Sequence, residues 1–177
     1  MIWPTQFAFR TGRGTADALL VARRVIELSV AAHDSPALLL ALDWAKAFDC
    51  ILPEALTDAL VCFGIPHQVA NMIQKVYSNR RFYVVECGVT SSTQAQSLGI
   101  SQGCPLSPYL FSILMTVLVH DARRKLTEED GIELPAGSVS ELLYADDTVL
   151  AGRDGQVVQK YMEAIIAHGA EYGLELN

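Results

Sequence analysis

Residues 142–152 read LLYADDTVLAG. One apolar run ends at Tyr144, another follows Thr148, and Asp146 and Asp147 stand side by side between them. The pattern predicts a hairpin over 139–152, turning between Tyr144 and Thr148. Two adjacent like charges at a hairpin tip have two readings. In one they form a solvated turn whose carboxylates bond to nearby backbone amides. In the other they belong to a larger carboxylate cluster. A partner for such a cluster stands upstream, where PALLLALD (36–43) reads as a short, fully buried strand that ends in Asp43. If this strand lies beside the hairpin in one sheet, Asp43, Asp146 and Asp147 reach the same edge. Three such carboxylates repel one another. A hard divalent cation, which takes carboxylate, water and phosphate oxygens, relieves the conflict.

Helical periodicity fills the space around these strands. TADALLVARRVIELSVAA, from Thr15, predicts a helix with Thr15 as its N-cap. Pro53 opens a second helix that Gly64 stops, and Pro66 opens a third through Tyr77. The β-branched and aromatic start of RRFYVVECGVTSSTQAQSLG (80–99) predicts a hairpin with Gly88 in its turn. From Pro105, PLSPYLFSILMTVLVHDARRKL is apolar on nearly every side until His120, as expected of a central buried helix. A final helix runs from Gln156 to near Gly173. Helices interleaved with hairpins and no repeats define an α+β class, with helices packed on one antiparallel sheet.

Composition bounds the function classes. The 177 residues, 51% of them hydrophobic, suffice for the core of one domain. There is no apolar run of about 18 residues and no basic segment leading into an apolar N-terminal stretch, so a non-membrane, non-secreted, intracellular chain is expected. Cys50, Cys62, Cys87 and Cys104 are far apart and form no C-x-x-C pair, which fits reduced thiols better than disulfides or a zinc knuckle. The net charge of −7 argues against a general grip on phosphates. Basic residues nevertheless cluster at Arg10, Arg13, Arg23 and Arg24, at Lys75, Arg80 and Arg81, and at Arg123 to Lys125; solvated helix ends account for such clusters by spacing alone.

Six segments occur together in order: QFAFRTGRGTADAL (6–19), LLLALDWAKAFDCI (38–51), GIPHQVANMIQKVY (64–77), GISQGCPLSPYLFSI (99–113), LLYADDTVLAG (142–152) and YGLELN (172–177). In this combination the chain resembles the reverse transcriptase domain of non-LTR, LINE-type retrotransposons, over nearly its whole length. The resemblance implies a right-hand polymerase palm with partial fingers and no thumb. Residues 1–35 would be a partial fingers helix, and 36–177 the palm with a fingers insertion around 53–98. It assigns Asp43, Asp146 and Asp147 as catalytic ligands of two Mg²⁺ ions, with Mn²⁺ as a substitute, and the Trp44 carbonyl as a further ligand. Phe48 matches the aromatic under the incoming sugar, whose bulk disfavours a 2′-hydroxyl; without the motif, a core phenylalanine following a strand is the preferred reading. Gln102, Gly103 and Pro105 match the nucleotide-binding segment, Tyr144 an aromatic near the primer end, and Arg10 and Arg13 a template-contacting region. Asp49 is expected to serve a turn or cap and not catalysis.

The implied reaction is templated addition of deoxynucleotides (dNTP) to a DNA primer 3′-hydroxyl on an RNA template. Because base pairing selects sequence, no base-reading side chains are expected. Oligomeric state is not indicated. An upstream fingers segment with an Arg-Pro-Ile motif, a lysine after the closing asparagine and a thumb are expected to fall outside the chain, making it a fragment of a retroelement reading frame. Two alternatives accompany this reading: a catalytically inactive or domesticated remnant acting as a binding module, and a group II intron or retron-type reverse transcriptase, which shares YADD.

Overall fold

The computed structural model describes residues 1–31, 37–134 and 140–177. In chain order the elements are α1 (Thr15–Ala31), β1 (Leu38–Leu42), α2 (Ala47–Cys50), α3 (Pro53–Phe63), α4 (His67–Tyr77), β2 (Arg80–Phe82), β3 (Val85–Glu86), β4 (Val89–Thr90), β5 (Gln94–Gln96), α5 (Ser107–Glu128), β6 (Glu141–Tyr144), β7 (Asp147–Gly152) and α6 (Gly155–Glu171). The expected sequence of elements is therefore present. Pro36, in the expected first strand, and Val139, at the start of the expected second hairpin, lie outside the described residues.

The central sheet has the order β1-β7-β6, antiparallel throughout. β6 and β7 form the hairpin expected from LLYADDTVLAG, with Tyr144 paired to Asp147, which leaves Ala145 and Asp146 as its turn. β1 pairs with β7 so that Leu42 faces Thr148 and Leu40 faces Leu150. Because side chains alternate between faces of a strand, Leu40, Leu42, Leu143, Thr148 and Leu150 share one face. Leu42, Leu143 and Leu150 belong to the core cluster, along with Leu110, Phe111, Leu114, Met115 and Leu118 of α5 and Ile165 of α6. The helices thus cover this face. α5 earns its expected central place, with Leu114, Leu118 and Ala122 fully buried.

Two segments without regular strand assignment extend the sheet. Thr5 to Phe7 runs parallel to β6, with Phe7 N–H donating to the Leu143 carbonyl (2.9 Å) and Leu143 N–H to the Thr5 carbonyl (3.0 Å). At the other edge, Trp44 pairs antiparallel with Leu176, flanked by hydrogen bonds from Ala45 N–H to Glu175 (2.8 Å) and from Asn177 N–H to Asp43 (2.9 Å).

Three local readings need correction. The strand ending at Asp43 is not fully buried: Leu38 and Leu39 are 40% and 39% exposed. β1 is the outer strand of the regular sheet, and only its alternate residues reach the helices. α1 opens at Thr15 itself, so Thr15 is its first residue and not its N-cap, and none of its residues is buried. Its apolar side chains Leu19, Leu20 and Leu28 are exposed, because an amphipathic pattern fixes a helix but not the neighbour that covers it. The long helix opens at Ser107 and not Pro105. Turn bonds from Cys104 N–H to Ser101 and from Ser107 N–H to Cys104 occupy the preceding residues, and Pro108 takes the first helical turn, where its missing N–H is harmless.

The expected hairpin of 80–99 is a two-tier structure, with β2 paired to β5 and β3 to β4. Gly88 sits at its turn with a left-handed φ of 80°. All four cysteines are free. Among the described residues no helix is long and apolar enough to cross a membrane.

Candidate active site

The open face of the sheet carries the carboxylates. Continuing the β1–β7 register one residue past the Leu42–Thr148 pair sets Asp43 across from Asp147, which is itself paired with Tyr144. Alternation places Asp43, Asp147 and Tyr144 in one row across three strands, on the face opposite the helices. Asp43 and Asp147 are exposed, and Asp146 and Tyr144 half-buried. Asp146 occupies the turn beside this row, and its carbonyl accepts from Thr148 Oγ1 (3.2 Å). The juxtaposition inferred from the sequence is thus present at the level of strand register. Among the described residues, no three His, Cys, Asp or Glu side chains converge into a ready-made metal cage.

Trp44 shows how one residue step separates an exposed acid from a packed indole. Its indole is 3% exposed, and its Nε1–H donates to Thr148 Oγ1 (3.2 Å) across the core face. With the indole turned inward, the neighbouring Asp43 is turned out. Asn177 fixes Asp43 further, donating from Nδ2 to Asp43 Oδ2 (2.7 Å). The closing YGLELN reaches this position because Gly173, at φ 85°, packs where a Cβ would lie 2.5 Å from the Cys50 carbonyl oxygen.

A second constellation lies on the loop before α5. Gln102 is exposed, and its Nε2 donates to Asp49 Oδ2 (3.1 Å). The loop rests directly on the chain after β1: Gly99 N–H donates to Ile51 and Ile100 N–H to Phe48, both at 2.7 Å. Gly99 permits this contact, since a Cβ there would meet Asp49 backbone atoms at 2.6 Å. Asp49, expected in a turn or a cap, is instead helical. It lies within α2, whose N-terminus has no side-chain cap, and its carboxylate receives the Gln102 amide. Phe48 stacks on Phe111, with ring centroids 4.4 Å apart, so the ring is packed against the core at one side. Gly103 has a left-handed φ of 83°, and Pro105 is exposed in the turn leading to α5.

Arg80, known from the sequence only as one of a basic cluster, anchors this loop. Its guanidinium donates to Ser101 Oγ (2.6 Å) and the Leu98 carbonyl (3.0 Å), and contacts the Gly99 carbonyl. It also stacks over Tyr77 at 4.9 Å. The Tyr77 hydroxyl, its pKa raised by burial, bonds Ser107 Oγ (3.1 Å).

Arg10 and Arg13 are committed to their own segment. Arg10 Nη1 donates to the carbonyls of Trp3 (3.1 Å) and Gln6 (3.2 Å), and Arg13 bonds the Pro4 carbonyl and lies 5.2 Å over the Phe7 ring. Burial, and then the like charge of Arg13, lower the Arg10 pKa. Arg123, from another basic cluster, is half-buried against Glu141 at 2.8 Å. Burial opposes its charge, but Glu141 and Tyr161 together outweigh that cost and its pKa is raised.

Sequence reasoning also missed Gln6, which is fully buried beneath the hairpin turn. It stood in a quoted segment, QFAFRTGRGTADAL, but a lone glutamine gives no sign of burial. Away from the carboxylate row, at the opposite end of β7, a cavity of about 580 Å³ is lined by Val25, Leu28, Ala151, Val157, Val158 and Tyr161.

An antiparallel sheet with helices on one face and a carboxylate row on the other defines the palm of a right-hand polymerase. Solved structures agree on the fold. A telomerase from Candida tropicalis, determined with a fragment of telomeric RNA, superposes with a TM-score of 0.61 at 15% identity, covering 92% of this chain and 27% of that one. The corresponding Candida albicans telomerase gives a TM-score of 0.56 at 13% identity, over 98% of this chain and 30% of its own. The family described as reverse transcriptase (RNA-dependent DNA polymerase) matches residues 1–177, and the chain belongs to it.

Its relatives are polymerases of non-LTR retrotransposons. The Pol polyprotein of the type-1 retrotransposable element R2 from Nasonia vitripennis is 32% identical over 135 residues, 76% of this chain and 13% of the relative. The type-2 element R2DM of Drosophila melanogaster is 28% identical over 174 residues, 98% and 16% respectively. The polymerase of mobile element jockey from the same species is 26% identical over 176 residues, 97% and 18%. The chain spans between 13% and 22% of the length of the curated relatives it matches.

Proposed function

We propose that this chain is the palm, with part of the fingers, of an RNA-directed DNA polymerase of a non-LTR retrotransposon, and that nucleotide addition takes place on the open face of its sheet. The observation that supports this most is the row Tyr144, Asp147 and Asp43, with Asp146 in the adjoining turn, on the sheet face opposite the core helices. We assign residues 1–35 to the fingers and 36–177 to the palm, with 53–98 as an insertion toward the fingers. An open face suits an extended primer–template better than an enclosed small molecule. That the telomerase structures were solved with telomeric RNA agrees with an RNA template.

The family generally uses divalent metal ions, and the donors here fit Mg²⁺. Asp43 and Asp147 offer hard carboxylate oxygens opposite one another by register, with Asp146 in the adjoining turn; water and triphosphate oxygens would complete the coordination, as Mg²⁺ prefers. When bound, two such ions supply a lowered pKa for the primer hydroxyl and charge neutralisation at the transferring phosphorus. Asp43 and Asp146 act as principal ligands, Asp147 as their supporting neighbour, and the Trp44 carbonyl as an additional oxygen. Phe48, braced by Phe111, lies under the incoming sugar. Gln102, held by Asp49, and Gly103 and Pro105 border the nucleotide. Tyr144 sits near the primer end, and Arg10 and Arg13 shape the segment that meets the template.

Primer extension on poly(rA)/oligo(dT) with dTTP tests the assignment. Wild type is expected to incorporate nucleotide with Mg²⁺ or Mn²⁺, and Asp146→Asn to lose more than about a hundredfold, beyond the 10–100-fold typical of residues that only support ligands. Equal incorporation by both overturns the ligand assignment. No incorporation by wild type favours the remnant reading.

A further inference from the structure

Gln6 is fully buried, yet its side chain ends in a polar primary amide. Its Oε1 accepts from the N–H groups of Ala145 and Ala8, both at 3.1 Å. Its Nε2 donates to the Ala145 carbonyl at 3.3 Å. The primary amide thus takes both the donor and the acceptor of one backbone residue, as a neighbouring strand would. That residue is the first of the hairpin turn, between Tyr144 and Asp146.

Ala145 needs such a partner for two reasons. It is buried and lies in the turn beyond the last β6–β7 pair, where an unmet N–H or C=O costs about 1–3 kcal/mol. It also holds a φ of 56°, a left-handed conformation that costs a residue with a Cβ roughly 1–2 kcal/mol. A turn with those two costs has competing conformations. Rotating the peptide that follows Ala145 would swing the Asp146 carboxylate with it.

Gln6 is itself held from several sides. Its N–H donates to the Trp3 carbonyl (3.1 Å), its segment pairs with β6 through Phe7 and Thr5, and Arg10 donates to its carbonyl (3.2 Å). Packing and backbone pairing fix the amide before it meets Ala145.

From this arrangement we infer that Gln6 is a positioning residue: its amide locks the Ala145 peptide and thereby sets the direction of the Asp146 carboxylate toward a divalent cation. The inference rests on the carboxylate assignment above. It explains why the segment before α1 is tied to the hairpin: the strap orients a ligand as well as lengthening the sheet.

The test is Mn²⁺ binding by the whole chain, followed by electron paramagnetic resonance, for wild type, Asp146→Asn, Gln6→Met and Gln6→Glu, with the folded fraction of each monitored by circular dichroism. Gln6→Met removes the amide at similar length, and Gln6→Glu keeps the two acceptor contacts while losing the donor. The expected result is Mn²⁺ affinity about tenfold weaker in both Gln6 variants, the low end of the 10–100-fold cost of losing a group that orients a metal ligand, in protein that remains folded. Mn²⁺ bound equally by wild type and Gln6→Met, while Asp146→Asn loses it, overturns the role of Gln6 and leaves the carboxylates standing. Equal binding by wild type and Asp146→Asn overturns the carboxylate assignment, and with it this role. Should the variants not fold, amide exchange in the wild type decides. Ala145 N–H exchanging at least about a hundredfold slower than in an unstructured chain supports the clamp, and exchange at the unstructured rate overturns it.

Discussion

The two faces of the β1-β7-β6 sheet are built from the same strands, one residue out of step, and they do opposite things. On one, Leu42, Leu143 and Leu150 disappear under α5 and α6, and Glu141, the single buried acid among the described residues, is fully engaged. Its Oε1 accepts from Trp3 Nε1 (2.7 Å) and Thr5 Oγ1 (3.2 Å), and its Oε2 from Arg123 Nη2 and the Tyr161 hydroxyl, both at 2.8 Å. On the other face, Asp43 and Asp147 stand exposed, opposite one another by register. The buried acid is a structural pivot that joins the N-terminal segment, α5, α6 and β6. The exposed acids join no such buried network, although Asp43 Oδ2 accepts from Asn177 Nδ2 (2.7 Å). Alternation along a strand thus lets a packed row and an exposed acidic row share a sheet while drawing on different residues.

That division fails if substitutions on the two faces have like effects, so each prediction pairs a stability with an activity. The largest contrast is expected at Asp146→Asn: more than about a hundredfold loss in primer extension, with thermal stability within the roughly 0.5 kcal/mol usual for changes outside the core. Glu141→Leu should do the reverse. Removing one partner of a buried ion pair costs about 3–5 kcal/mol, so chemical denaturation should show a loss of that size, with Arg123 and Tyr161 left without their acceptor. Leu150→Ala is expected to cost about 2–5 kcal/mol through the cavity it leaves beneath the sheet, and any folded fraction should retain Mn²⁺ affinity. A Leu150→Ala protein that folds well but binds Mn²⁺ poorly would show that the faces are coupled.

Much of this layout could be read from the chain because its signals are local. The hairpin, the helix breaks at Pro53 and Gly64 and the buried α5 each follow from patterns within about twenty residues, and Asp43, Asp146 and Asp147 were placed by the strands that carry them. What escaped reading depends on contacts distant in sequence. Gln6 meets Ala145 across 139 positions, and Asn177 meets Asp43 across 134. Nothing in a glutamine or a terminal asparagine announces a backbone partner so far away. The Asp49–Gln102 pair escaped for the same reason: Asp49 shows a capping residue's composition, and only the packing of Gly99 on its backbone brings Gln102 to it. Exposure was misjudged for β1 because an apolar run is the same whether a strand lies inside or at the edge.

The smallest effect concerns the core side alone and appears only at high pH. Burial, and then the nearby charge of Asp121, push the Tyr172 hydroxyl up to about 12. Burial, and then Glu141, raise Tyr161 well above its usual value. Both groups are held neutral by the fold and ionise near pH 10 when it opens. Below pH 10 both states carry the proton and stability is unaffected. Between about 10 and 12 the unfolded chain loses protons that the folded one keeps, so it binds fewer and stability falls as pH rises. Melting temperature should therefore be level from neutral pH to about 10 and decline above it. Tyr172→Phe should make that decline shallower, because one of the protons held by the buried tyrosines, Tyr77 among them, is no longer at stake, while Asp146→Asn should leave the curve unchanged. A decline of the same steepness in Tyr172→Phe would assign the alkaline loss elsewhere. A change in Asp146→Asn would mean that the open face contributes to folding after all.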